Sequence, residues 1–406
     1  MGMKVMMLVE SLTLGGLPNH VLTVSRALQD AGDDMVLVHA TPVVPDHLET
    51  HGLTLVDLSG PLASGHADVL VDAMQALQPD VLHVHLCSHP AWLEAITRMP
   101  QPKVRSFHDY TSMCLRMGRR RYPGDRCHRP LGASCLMFGC WLGAPEQGEL
   151  LPRLIPVRQK LAEARQYRDF DAAVVGSQHM LRMLKVNGYQ DTQCHLIPYF
   201  NRFDATARVD DAALPHRPGR PGSDRPVEML FTGQAIAGKG LLVLLDALRD
   251  LPGTWRFTAV TAGPQLNLAR DKAAQLTMTD RVRFLDWLPQ SQLAELYSQS
   301  DLLVVPSVWD DPGPLVGLEA MSHGTPVVAF PVGGLTDYVR NGQTGWLAEQ
   351  VSVTALQGAL MRAMADLTEP ERWRHRARQH VAKHHSKHVH IDSLRRLHQQ
   401  LLEVTP

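Results

Sequence analysis

The chain has 406 residues and a formal net charge of −1, with 44% apolar and 20% charged residues. That leaves room for two domains with sizeable cores and excludes a protein built to coat nucleic acid by bulk charge. The opening apolar run is too short for a secretory signal, and no stretch approaches the roughly 20 apolar residues of a membrane span, so the expected compartment is the cytoplasm, with reduced thiols.

In chain order, KVMMLV at 4–9 reads as a buried strand. Gly15-Gly16 follow it, and NHVLTVSRALQDAG then has helical spacing with a Gly stop. Further strand candidates lie at 35–40, 53–58, 80–86, 103–109, 172–177 and 194–198, mostly separated by helical segments. A Pro/Gly-rich, charged stretch at 213–227 reads as a linker. The alternation then restarts with EMLFTG, WRFTAV, VRFLDW, DLLVVP and PVVAF. Strands alternating with helices predict parallel sheets covered on both faces, here two doubly wound α/β domains in series. Ligands of such sheets bind beyond the carboxyl ends of the strands, so the candidate residues are those that follow strands.

Gly15 and Gly16 would let backbone N–H groups approach a phosphate; a plain tight turn explains them equally well. In LFTGQAIAGKG, Lys239 and Gly240 stand where a helix begins. An ammonium there suits a diphosphate, although a solvated lysine is the plainer reading of it alone. In VVPSVWDDPGPLVGLEAMSHGTPVVAFPVGG, Asp311 and Glu319 are eight apart, and Pro314 suits the first turn of a helix. One acid on the loop and one on the helix could hold two groups of one ligand. The plainer reading makes Asp311 a cap and leaves Glu319 exposed.

Taken together, these blocks resemble the GT-B glycosyltransferases of family 4, which are retaining and use nucleotide sugars. The Gly-Gly after the first strand, the Gly-x5-Lys-Gly opening and DDPGPLVGLEAMSHGTPVVAFPVGG match in order and spacing, and DAAVVGS and IPYFNRFD look like the family's segments ahead of the linker. The resemblance implies two Rossmann-like domains facing across a cleft: an acceptor domain at 1–212 with an insertion at 110–145, and a donor domain at 228–385. A terminal helix at 386–406 would return to the first domain. It gives Glu319 the ribose hydroxyls, Asp311 (where the family usually has Glu) the donor sugar, with Asp310 as a substitute, and Lys239 the diphosphate. Backbone groups near Pro314, Leu315 and Val316 would face the phosphates. The family's Arg partner of the lysine is Gln234 here, which brings no charge. His108, closing KVRSFHD, fits the family's donor-sugar histidine, and His85 is the weaker candidate. No catalytic metal or other cofactor is implied beyond the nucleotide sugar as co-substrate. The acceptor would be a glycan or lipid-linked molecule in cell-surface polysaccharide or glycolipid synthesis. Gln234 and Asp311 also motivate a second reading, a nucleotide-sugar-binding protein with little catalysis.

Two clusters lie outside this pattern. Cys114, Cys127, Cys135 and Cys140 fall in the insertion without a C-x2-C pair, so a structural zinc and buried thiols stand about even. Arg116, Arg119, Arg120, Arg121, Arg126 and Arg129 face a single acid, Asp125, and make the same loop basic. It reads as a solvated surface or as one that meets an anionic acceptor or the inner face of a membrane. In the tail, His380, His384 and His388 share helical spacing and read as a solvated face rather than a metal site.

Overall fold

The computed structural model describes residues 2–13, 16–45, 48, 50–119, 126–143, 153–203, 219 and 221–404. It divides into two compact units, Met1–Pro198 with Lys387–Pro406, and Tyr199–Ser386. The division lies at Pro198/Tyr199, ahead of the 213–227 stretch; 213–218 and 220 fall outside the described residues.

The first unit carries a parallel sheet of β1 (Lys4–Val9), β2 (Asp34–His39), β3 (Thr54–Asp57), β4 (Val81–Leu86), β5 (Lys103–Phe107), β6 (Ala172–Val175) and β7 (Cys194–Leu196). The strand order is β3-β2-β1-β4-β5-β6-β7. The inner strands are buried on both faces, as the unbroken burial of the last five residues of β1 shows, which is why they read as apolar runs rather than as alternations. The terminal helix Lys387–Val404 belongs to this unit. Lys387 Nζ lies 2.8 Å from Asp30, Arg395 Nε 3.0 Å from the buried Asp33, and the His390 ring bonds the Pro198 carbonyl at 2.9 Å.

The second unit carries β8 (Val227–Thr232), β9 (Trp255–Val260), β10 (Val282–Leu285), β11 (Leu302–Val305), β12 (Val327–Ala329) and β13 (Gly345–Leu347), again all parallel, in the order β10-β9-β8-β11-β12-β13. Two parallel sheets with interleaved helices make an α/β fold of two Rossmann-like units. In the second sheet the order reverses between β8 and β11, the position where such sheets bind ligands.

Two expectations need correction. The histidine tail is not one solvated face. It splits into helices Pro370–His384 and Lys387–Val404; His380 is buried on the first, while His388 is on the second and pairs with Asp392 at 3.0 Å. Nor is the insertion's basic character all on the surface. Arg119 is 2% exposed, and its guanidinium donates to the carbonyls of Met113 at 3.2 Å and Arg129 at 2.8 Å. Arg116 likewise donates to the Gly139 carbonyl at 2.9 Å, so these two arginines fold the loop. Arg120, Arg121 and Asp125 lie outside the described residues.

Candidate functional site

The loops after β8 and β11 are built against each other. After β8 the chain turns through Gly233, carries the exposed Gln234, and makes a 3-10 turn at Ala237–Lys239 before the helix Leu241–Arg249. Gly240 caps that helix in the left-handed region at φ 71°, where a Cβ would lie 1.9 Å from the Pro306 carbonyl oxygen. Only glycine permits both the conformation and the approach. Val308 N–H donates to the Gly238 carbonyl at 2.9 Å, and a Cβ on Gly238 would meet the Trp309 ring at 2.6 Å. The outcome is that Lys239 Nζ lies 2.5 Å from Asp311 Oδ2 and 5.9 Å from the Trp309 ring centre.

Behind Asp311 stands the Gly333-Gly334 pair that ends the motif block. Gly334 N–H donates to the Asp311 carbonyl at 2.8 Å, and a Cβ on Gly333 would lie 1.9 Å from that same oxygen. Pro314 is the cap of the helix Leu315–Ser322 rather than part of its first turn, and its carbonyl accepts from Tyr338 Oη at 2.7 Å. Proline has no N–H, so Leu315 and Val316 supply the first free-pointing backbone donors of that helix.

Asp311 does not cap this helix, whose start has no side-chain cap bond, and Glu319 is not exposed. Glu319 retains 7% of its surface. Arg202 Nε lies 3.1 Å from its Oε1, and Tyr297 Oη donates to its Oε2 at 3.0 Å. Burial, and then the Glu319 charge, push the Tyr297 phenol well above its ordinary range, so it stays a neutral donor. Neither Arg202 nor Tyr297 was visible as a site residue in the sequence. Arg202 stood in a segment legible only as IPYFNRFD, and nothing in the sequence singled out Tyr297, which lies on the helix Gln290–Gln299.

In the first unit, His108 follows β5 and meets His85 of β4, with His85 Nδ1 2.9 Å from His108 Nε2 and the rings stacked at 5.1 Å. The two candidates are therefore one assembly, and it extends further. His83 stacks on His85 at 4.6 Å and bonds His398 at 3.1 Å, while His20 lies 5.1 Å from His108 and 5.9 Å from His390. Burial pushes the imidazoles of His83, His85 and His108 well below their ordinary range, and neighbouring imidazoles and Arg105 add to it. Gly16 opens the helix Gly16–Asp30, and Gly15 lies outside the described residues. The insertion's cysteines are free thiols, and burial raises those of Cys114 and Cys140. Among the described residues no three His, Cys, Asp or Glu side chains are placed to share a metal, so the four cysteines form no metal cluster in this structure.

Residues 217–380 match the family model described as Glycosyl transferases group 1, and residues 14–200 match that of Glycosyltransferase Family 4. The chain belongs to the GT-B glycosyltransferases of family 4. Proteins similar in sequence include the glycogen synthase of Mycobacterium tuberculosis (strain ATCC 25618 / H37Rv), 33% identical over 177 residues, 43% of this chain and 42% of that protein. That match spans about two fifths of the relative's length. The D-inositol 3-phosphate glycosyltransferase of Acidothermus cellulolyticus is 27% identical over 368 residues, 86% of this chain and 78% of that one. Among solved structures, a glycosyltransferase from Rickettsia africae superposes with a TM-score of 0.73 at 16% identity, covering 99% of both chains. HepE from Anabaena, solved with UDP and glucose, gives 0.70 at 16% identity over 98% of this chain and 100% of that one. These structural likenesses establish the GT-B fold.

Proposed function

We propose that this protein is a retaining glycosyltransferase that moves a hexose-type sugar from a nucleoside diphosphate to a glycan or lipid-linked acceptor in cell-surface polysaccharide or glycolipid synthesis. The observation that carries the reading is the pair of buried carboxylates at the switch point of the second sheet, each already matched to a cation: Asp311 to Lys239 and Glu319 to Arg202. In this reading Glu319 accepts from the two ribose hydroxyls, Lys239 and the N–H groups of Leu315 and Val316 take the diphosphate, and Asp311 meets the donor sugar. His108 keeps the donor-sugar role that the family gives it, its ring fixed by His85.

The chemistry follows from those roles. As the bond to the diphosphate breaks, the anomeric carbon becomes oxocarbenium-like. Negative charge grows on the leaving phosphate, which Lys239 and the helix start stabilise. The departing phosphate oxygen takes the acceptor's proton. The UDP and glucose bound in HepE favour a uridine donor as the first to try. The test is nucleotide release from a panel of UDP-, ADP- and GDP-sugars with candidate acceptors. Release above that of a Lys239→Ala, Glu319→Ala double variant supports transfer. Tight donor binding without turnover under any acceptor supports the non-catalytic alternative instead.

The insertion bears on the acceptor. Met137 is 81% exposed, Leu136 51% and Trp141 38%, in an insertion whose sequence is rich in arginine. Exposed apolar side chains on an insertion of basic sequence suit an anionic lipid surface, which is where a lipid-linked acceptor would be met. Among the described residues no helix is long and apolar enough to cross a membrane, so contact of this kind would be peripheral. A Leu136→Glu, Met137→Glu variant is expected to lose severalfold in co-sedimentation with phosphatidylglycerol vesicles while keeping its thermal stability. Unchanged sedimentation would remove the lipid surface from this reading.

A further inference from the structure

We propose that Arg202 is a positioning residue for the nucleotide ribose, fixing the Glu319 carboxylate so that it accepts from two vicinal hydroxyls and thereby sets a preference for ribonucleotides. This rests on the reading of Glu319 given above and deepens it.

The main chain around Arg202 is stitched to the helix that carries Glu319. Asn201 Nδ2 donates to Ser322 Oγ at 2.8 Å and to the Leu318 carbonyl at 3.3 Å, which bracket Glu319 on that helix. Its Oδ1 accepts from Phe203 N–H at 2.8 Å, so the residues on both sides of Arg202 are held. Asn201 and Phe203 are buried, whereas the Arg202 side chain keeps 27% of its exposure. The guanidinium lies over the Phe203 ring at 5.3 Å and brings Nε to Glu319 Oε1. The segment therefore delivers one cation to one carboxylate oxygen.

The last torsion of a glutamate is broad and carries little rotamer preference of its own. Separate groups on the two oxygens, the Arg202 charge 3.1 Å from Oε1 as an ion pair and the Tyr297 hydroxyl donating to Oε2, set the carboxylate plane instead. A carboxylate oxygen has two lone pairs, so each keeps one for a ligand. Two acceptor positions on one fixed plane are what a cis-diol can use in a bidentate way. A 2′,3′-dideoxy nucleotide can use neither. Because Glu319 is buried, solvent screens the pair weakly, and loss of Arg202 leaves the carboxylate free to turn toward Tyr297 alone.

Calorimetry tests this with UDP, ADP and GDP, followed by the 2′,3′-dideoxy form of whichever binds most tightly. Arg202→Ala is expected to weaken the ribonucleotide about tenfold and the dideoxy form less than about twofold, the difference being the coupling between arginine and ribose. Arg202→Lys should recover part of the loss, because it keeps the charge but not the planar fork. Tyr297→Phe, which removes the hydrogen-bond donor on Oε2, should give the same ribose-selective loss and stands in if Arg202→Ala does not fold. Equal losses for both nucleotides, or none, overturn the proposal and leave the donor site standing. Wild-type protein that binds both nucleotides equally overturns the role of Glu319 along with it. Wild-type protein that binds none of the three overturns the proposed function itself.

Discussion

Lys239→Ala is expected to lower nucleotide release by about 10²–10³-fold, the range seen when one charge-stabilising donor of an active site is removed. The expectation is at the large end for a stated reason. The second cation that this family usually places on the diphosphate is the exposed, neutral Gln234 here, so no neighbour in that loop shares the charge. The same substitution strands Asp311, which keeps 10% of its side-chain exposure and whose Oδ2 lies 2.5 Å from the ammonium. Leaving a nearly buried carboxylate without its partner costs stability, roughly 1–3 kcal/mol for a pair whose lysine still reaches solvent. The two effects separate in the Lys239→Ala, Asp311→Asn double variant. The amide removes the stranded charge and should return most of the melting temperature, while the rate stays low because the cation is still missing and the donor-sugar contact proposed for Asp311 is changed as well. Recovery of the rate together with stability would mean that Lys239 acts only as a structural counter-ion. Turnover by Lys239→Ala within about threefold of wild type would remove the lysine from the proposed charge stabilisation.

How much of this was legible depends on where each signal lives. Strands β1–β12 showed in the sequence, the inner ones because parallel strands buried on both faces are runs of apolar residues and the half-exposed β3, β7 and β10 as short apolar segments between helical ones. β13 did not: Gly345-Trp346-Leu347 is three residues long, and its glycine is there because a Cβ would lie 2.1 Å from the Val327 carbonyl oxygen, a fact of pairing rather than of pattern. Lys239, Asp311 and Glu319 were found because short glycine-rich loops fix them at constant spacing. The partner of Glu319 was not, because Arg202 reaches it through the fold from a distant part of the chain. Arg119 misled for a related reason. A run of three arginines after glycine looks solvated, and the carbonyls that accept from it are present at every residue and leave no mark in the sequence. The histidine row did leave a mark. His83 and His85 are two apart on a strand and so share a face, and His390 and His398 are eight apart on a helix and share another. What the sequence could not say was that those two faces meet.

Stability is expected to fall steeply as the pH drops below about 6.5, the ordinary histidine value. Burial lowers the His20 imidazole to about 3 and that of His398 to about 4, and it holds His83, His85 and His108 well below their ordinary range. Other imidazoles and the buried Arg105 act on His20, His83, His85 and His108 and also oppose protonation, while for His398 the cause is burial. Above the unfolded value both states are neutral at these positions, so nothing is lost. Below it the unfolded chain binds protons that the folded chain excludes, and stability declines until the folded values are reached. Each excluded proton is worth about 1.4 kcal/mol per pH unit, so five such groups approach about 7 kcal/mol per unit. Whole domains are stable by only about 5–15 kcal/mol, so one unit of acidification is enough to matter. The loss should begin in the first unit and at the terminal helix, since His390 and His398 tie that helix to His20 and His83. Denaturant melts at intervals between pH 7.5 and 5.5 would measure the slope, and hydrogen exchange would show whether Lys387–Val404 opens first. A free energy of unfolding that stays flat across that interval would mean that the imidazoles are not held neutral by this packing. A slope smaller by about one proton in His398→Gln would assign that ring its share directly.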